Sequence, residues 1–316
     1  MICKRNQIIK DLILILFPLI IVSAISFFLI HNSEATDIVK KLSLLLDKRT
    51  YVVILFLLLL SSIKVFLDKS RENYFKSMFY IFLMGISGVV VVNFVKALFI
   101  STSAERALIA TELLIRFENI ILPENLIFKI HSLNIPTYIE KLISWSYLNL
   151  TLVFVITFIL VFLFNNVDYR KLTLSIIIAP ILLFPFWFIF PATSPEGFYN
   201  KNIFNLEFSD NTKNLISTHQ HSKIIRGDIN ELNQTWISPT NQFINVTSIP
   251  SLHVLFGYIL MFYALRIKKI LAIFYIPWFI LNFIGTFYLF QHFILDAISG
   301  LIIGILLIYL VEKKLT

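Results

Sequence analysis

The sequence predicts an all-α fold, a polytopic membrane helical bundle of about eight spans. Three observations carry that prediction. Of 316 residues, 58% are hydrophobic and only 15% charged, with a mean hydropathy of +0.82. A soluble monomer has no room to hide that much apolar surface. The apolar residues run in continuous stretches near the length that crosses a bilayer, rather than alternating as in a membrane β-barrel. Lys and Arg concentrate on alternate connections, as they do on the cytoplasmic side of membrane proteins. Together these exclude a soluble enzyme, a disordered chain and a secreted disulfide scaffold. The single cysteine, Cys3, leaves no intrachain disulfide.

The spans, in order, are roughly 12–30, 51–67, 77–95, 143–164, 172–190, 251–265, 270–290 and 293–311. The first follows Lys4, Arg5 and Lys10 but is longer than a signal-peptide core and has no small-residue cleavage site after it. It reads as a retained anchor. Pro180 and Pro185 fall inside the fifth span and are expected to kink it. The connections on the N-terminal side carry 14 Lys/Arg in 40 residues, against 13 in 126 on the opposite side. Both termini are therefore expected to be cytoplasmic, with the long connections 96–142 and 191–249 outside. The net charge of +8 reads as this cytoplasmic excess rather than as a nucleic-acid surface.

Within 96–142, apolar Leu108, Ile109, Leu113, Ile120 and Ile121 interleave with Arg106, Glu112, Arg116 and Glu118, and Pro123 closes the stretch. That pattern suits an amphipathic helix at the interface, or equally a half-buried core segment. The tract 191–249 is the one long polar connection, a length that is usually functional in a compact protein. No internal repeat appears, so a transporter built on inverted repeats has no support.

Ionisable residues at membrane depth are the functional candidates in such a chain. One set is Pro250-Ser251-Leu252-His253, where Ser251 suits an N-cap and His253 falls in the first helical turn. Free N–H groups there make an anion site, and a histidine beside an anion can donate a proton. The same residues also suit a capped helix with a hydrogen-bonded interfacial histidine. The second set is His292 and Asp296, four apart on one helix face. A carboxylate on one imidazole nitrogen sharpens the other as base or nucleophile, though a structural His–Asp bond has the same spacing. Gly300 and Gly304 continue that stripe and allow a neighbouring helix to approach closely. The topology puts both sets at one membrane level. Two His and one Asp without a His-x-x-x-His pair make a poor zinc site, so no metal or cofactor is expected. His219 and His221 read as loop residues.

At these residues the sequence resembles the type-2 phosphatidic acid phosphatase (lipid phosphate phosphatase) superfamily, whose second motif is P-S-G-H and whose third is S-R-x5-H-x3-D. The P-S-L-H form is similar to the branch containing inositol phosphorylceramide synthase, as are Phe190-Pro191-Ala192-Thr193-Ser194-Pro195, Glu124-Asn125-Leu126 and Trp145-Ser146-Tyr147-Leu148-Asn149-Leu150. The resemblance covers about 119–305. It implies a six-helix catalytic core in residues 73–316, preceded by two accessory spans in 1–72. It also implies metal-independent hydrolysis of a lipid phosphate, or transfer of its head group, at the outer face of the bilayer. His292 would be the phosphoryl-accepting nucleophile, Asp296 its activator and His253 the proton donor. Ser251 and first-turn N–H groups would hold phosphate oxygens. Two family positions differ: Glu196 and Thr286 stand where phosphate-clamping arginines are expected. Lys201, Lys223 and Arg226 of the outer loop are the candidate substitutes. A non-catalytic lipid-binding or transport protein on the same scaffold is the alternative from another class.

Overall fold

The computed structural model describes residue 83, positions 91, 94, 95, 98 and 102, and residues 104–123, 126–131, 133, 135–164, 169–196, 198 and 249–314. The expected spans 12–30 and 51–67, most of 77–95, and the loop carrying Lys201, His219, His221, Lys223 and Arg226 lie outside the described residues. Every regular element among the described residues is helical: α1 (Ala104–Ile121), α2 (Leu126–His131), α3 (Thr137–Leu148), α4 (Leu150–Phe164), α5 (Tyr169–Ile189), α6 (Leu252–Ile267), a 3-10 turn (Lys269–Leu271), α7 (Ala272–Tyr288) and α8 (Ile294–Lys314). In lipid only helices and closed barrels satisfy their own backbone, so long apolar stretches resolve this way.

Three of these helices are long and apolar enough to cross a membrane: α5, the 3-10 turn with α7, and α8. The bent pair α3–α4 makes a fourth if it is one span. Helix α6 is apolar but shorter. The sequence predicts one continuous span over 143–164, whereas the chain bends by 62° between α3 and α4. The reason lies in the hydrogen-bond ladder. In an unbroken helix the Ser146 carbonyl would accept from Leu150. Here it accepts from Trp278 Nε1 at 3.2 Å and Asn282 Nδ2 at 3.1 Å, both on α7. Side chains inserted at a carbonyl break a helix in this way. Helix α5, by contrast, runs on through both Pro180 and Pro185.

Helix α6 is the centre, packed on α4, α5, α7 and α8, and it buries residues on all sides: Val254, Leu255, Ile259, Leu260, Tyr263 and Ala264. Helices α7 and α8 turn an apolar face outward through Ile273, Ile276, Ile280, Ile302, Ile305 and Leu306. A soluble protein would cover that surface, and a bilayer solvates it. Polar groups inside are paired across helices, Thr157 Oγ1 with Tyr275 Oη at 2.9 Å and Ser175 Oγ with Tyr263 Oη at 3.2 Å.

The two ends of the bundle differ in chemistry. At one end Glu312 of α8 pairs with Lys171 at the start of α5, 3.1 Å, and Arg266 near the end of α6, 3.4 Å. At the other end, Trp187 near the end of α5 donates its Nε1 to the Pro250 carbonyl before α6. The histidine motifs sit at this second end, at the starts of α6 and α8.

The expected close approach along Gly300 and Gly304 is present. A Cβ on Gly300 would lie 2.4 Å from the Ser251 carbonyl oxygen, and one on Gly304 3.2 Å from a Tyr258 ring carbon. Backbone resists the first overlap, and a rotatable ring can yield to the second. Gly300→Ala is therefore expected to destabilise by about 1–3 kcal/mol, an overpacking magnitude. Gly304→Ala should lose visibly less. Thermal melting of both variants in one detergent checks the order.

Candidate functional site

Ser251 caps α6 as its position suggested. Its hydroxyl accepts from Val254 N at 3.4 Å, its side chain is fully buried, and His253 falls in the first turn. The Ser251 N–H donates to the Asp296 carbonyl at 3.0 Å, stitching the start of α6 to the first turn of α8. Gly300 makes that contact possible.

The second motif is built on a turn. Helix α7 ends in a Schellman motif: Phe290 N donates to Phe287 O, and Gln291 N donates to Thr286 O. The left-handed position, usually glycine, is Phe290 at φ 57°. A bulky residue there is strained by about 1–2 kcal/mol. Packing holds it, because the Phe290 ring is buried with its centroid 5.5 Å from that of Phe128. The Thr286 carbonyl also accepts from His292 N at 2.9 Å. Thr286, at the position of an expected arginine, is buried and orients the histidine through its backbone.

Helix α8 begins at Ile294, so His292 lies in the bend before it and not on the helix face that the four-residue spacing predicts. Asp296 Oδ2 accepts from Phe293 N at 2.9 Å and lies 3.6 Å from His292 Nδ1. One carboxylate thus caps the helix and faces Nδ1 of the imidazole. The His292 side chain is 12% exposed and that of Asp296 is closed to solvent. The Ser251–Asp296 bond holds the start of α6, which carries His253, against the first turn of α8 beside His292. The two motifs, far apart in sequence, therefore meet.

Several participants were not singled out from sequence. Tyr147 stacks on the His253 ring, centroids 4.0 Å apart and planes 15° from parallel. Asn282, wholly buried, donates Nδ2 to the Ser146 carbonyl and reaches His253 Nε2 at 3.0 Å. A carbonyl can only accept, so the amide nitrogen must face it, and the same nitrogen then donates to His253. His253 Nε2 accepts, and the proton of the neutral ring rests on Nδ1, with the Tyr147 backbone as a further hydrogen-bond partner. Asn282 is the one side-chain amide inside the apolar span 270–290, and that was its one visible signal.

The Pro-rich segment after α5 docks on the site. Thr193 N donates to Thr111 Oγ1 of α1 at 3.0 Å, and Glu196 N to the Phe290 carbonyl at 2.9 Å. Glu196, the other departure from the family pattern, is buried beside the strained turn. Helix α1 lies across this end. It buries Ala107, Ala110, Thr111, Leu114 and Glu118 and exposes Ile109, Leu113, Ile120 and Ile121. The expected amphipathic helix exists, but small residues face the protein and large apolar ones face away. Glu118, read from sequence as part of the polar face, points inward. Its Oε2 accepts from Leu295 N at 3.1 Å. Burial pushes its pKa up to about 7, backbone N–H groups of Leu295 and Ile294 pull it down, and the nearby Asp296 charge raises it. Among the described residues no group of three His, Cys, Asp or Glu side chains is arranged to hold a metal. Lys201 and Arg226 lie outside them.

A family profile described as PAP2 superfamily matches residues 122–310, which include both histidine motifs and helices α2 to α7 with most of α8. No curated protein and no solved structure gives a match.

If Asn282 holds the His253 ring, Asn282→Ala will lower the melting temperature and speed diethyl pyrocarbonate modification of His253, read by peptide mass spectrometry. An unchanged modification rate would show that Tyr147 stacking alone fixes the ring.

Proposed function

Because the chain belongs to the PAP2 superfamily, whose members are generally phosphatases or phosphotransferases, we propose that it cleaves or transfers the phosphoester of a lipid phosphate through a phosphohistidine on His292. The observation that carries this reading is the His292–Asp296 pair one turn apart with His253 beside it.

In the first step His292 Nε2 attacks phosphorus, the N–P bond forms and the P–O bond to the lipid alcohol breaks. Asp296 stabilises the positive charge that grows on the ring. His253, carrying a second proton on Nε2 once that nitrogen has turned from Asn282, gives this proton to the departing alcohol oxygen and returns to the neutral ring. In the second step water, or an acceptor alcohol, attacks the phosphoryl group, His253 takes back the proton, and His292 is freed. Hydrolysis and head-group transfer, as in the inositol phosphorylceramide synthase type, share the first step and differ in the second. Ser251 holds the α6 start so that its first-turn N–H groups can meet phosphate oxygens. Lys201 and Arg226 are the proposed source of positive charge, which the phosphoryl transition state needs. The reaction as written uses no metal.

The lipid assignment is supported by the outward apolar faces of α7 and α8. The concentration of basic residues on the connections opposite the site supports an extracytoplasmic site with both termini in the cytoplasm. Residues 1–72 are proposed as accessory spans.

Purified protein turned over with a lipid phosphate and quenched in base is expected to carry a phosphoryl group on the peptide containing His292. Phosphate release that persists undiminished in His292→Ala would sink the mechanism. His253→Ala should slow cleavage of alkyl phosphates by about a hundredfold or more, the usual weight of a general acid. It should hardly affect aryl phosphates, whose leaving groups need no proton. Equal losses on both substrates would remove His253 from the acid role.

A second reading has one observation behind it. Glu196 and Thr286 stand buried where cations would clamp phosphate, as in a lipid-binding homologue that has lost turnover. That reading requires lipid binding to survive His292→Ala and Asp296→Asn, with no product from any phosphoester.

A further inference from the structure

Each helix start needs acceptors for its first free N–H groups. Helix α6 finds one locally, in its own Ser251 hydroxyl. Helix α8 does so only in part. Asp296 Oδ2 takes the Phe293 N–H, and the same oxygen faces His292. The Leu295 N–H is taken from a distance, by a carboxylate 177 residues away in sequence on the interfacial helix. The Ile294 N–H reaches that same carboxylate.

We propose that Glu118 is a positioning residue for the His292–Asp296 pair: its carboxylate, delivered by α1, holds the first-turn N–H groups of α8 and leaves Asp296 free to face His292. The inference rests on the reading of His292 and Asp296 as the reacting pair. Without Glu118, the Leu295 and Ile294 N–H groups would draw on the Asp296 carboxylate, the charged acceptor in the same turn, and turn it away from the imidazole.

Placement comes at the expense of stability. Glu118 is 6% exposed and sits beside a second buried carboxylate. Its folded pKa lies above the unfolded one, so the fold binds that proton more tightly than the unfolded chain does. The resulting stabilisation is full below about pH 4.5 and is lost as pH rises through about 7. Above about pH 7 the charge on Glu118 is held close to Asp296. A residue serving only to close a helix would be better as a neutral acceptor. The rest of α1 offers Phe117 (60% exposed) and Ile120 (80% exposed) to the bilayer surface. The seating of α1 on the membrane therefore bears on the geometry of the histidine pair through one side chain.

The test uses the full-length protein in detergent or nanodiscs with Glu118→Ala and Glu118→Gln. Glu118→Ala should speed amide exchange in residues 294–298 and lower kcat by about tenfold with KM unchanged, a modest misplacement effect. The melting temperature at pH 8 should hold or rise. Glu118→Gln, with one acceptor oxygen instead of two, should fall between. Unchanged exchange in Glu118→Ala would overturn the proposal, as would activity lost in step with a lower melting temperature. If the wild-type protein turns over no lipid phosphate, the enzymatic reading fails by itself. The exchange at 294–298 then still decides whether Glu118 places the start of α8.

Discussion

Gly300 carries no side chain where α8 crosses the start of α6, and a Cβ there would meet the Ser251 carbonyl oxygen at 2.4 Å. That vacancy lets the two helix starts touch. Once they touch, the Ser251 N–H reaches the Asp296 carbonyl, and the turn carrying His292 is brought against the turn carrying His253. Membrane helices gain little from burying apolar surface against one another, since lipid is as apolar as leucine. Close backbone approach and a few polar contacts decide their pairing instead. The site is a by-product of that close approach.

The same scarcity of water explains the bend between α3 and α4. A carbonyl released from its helix at membrane depth must find another donor. Ser146 finds two, Trp278 and Asn282, and the second of them also holds His253. One broken helix thus supplies the ring that stacks on the histidine, through Tyr147, and the anchor for the amide that sets its tautomer. The break and the site are a single structural decision.

The Phe290 turn shows the converse. A strained left-handed residue persists because Phe128 packs on its ring and Glu196 N–H binds its carbonyl. The strain aims His292, whose N–H is held by Thr286. Thr286 and Glu196 occupy the places where the family resemblance leads one to look for arginine. Both serve this site through backbone atoms, which a residue's identity does not reveal.

The sequence by itself determined that the chain is a membrane protein of apolar helices and that Ser251 would cap α6. It also determined that His292 and Asp296 would lie close together, although His292 stands before α8 and not on its face, and that Gly300 and Gly304 would seat a neighbour. Each of these follows from composition or from spacings of three and four residues within one stretch of chain, and local geometry is enough to read them. It did not determine that 143–164 would bend, that α1 would turn its small residues inward, or that Asn282, Tyr147 and Glu118 would surround the motifs. Those outcomes depend on contacts between residues more than a hundred positions apart, such as Asn282 with Ser146 and Glu118 with Leu295. A buried polar atom takes whichever partner packing brings within reach, and only the tertiary structure decides which partner that is.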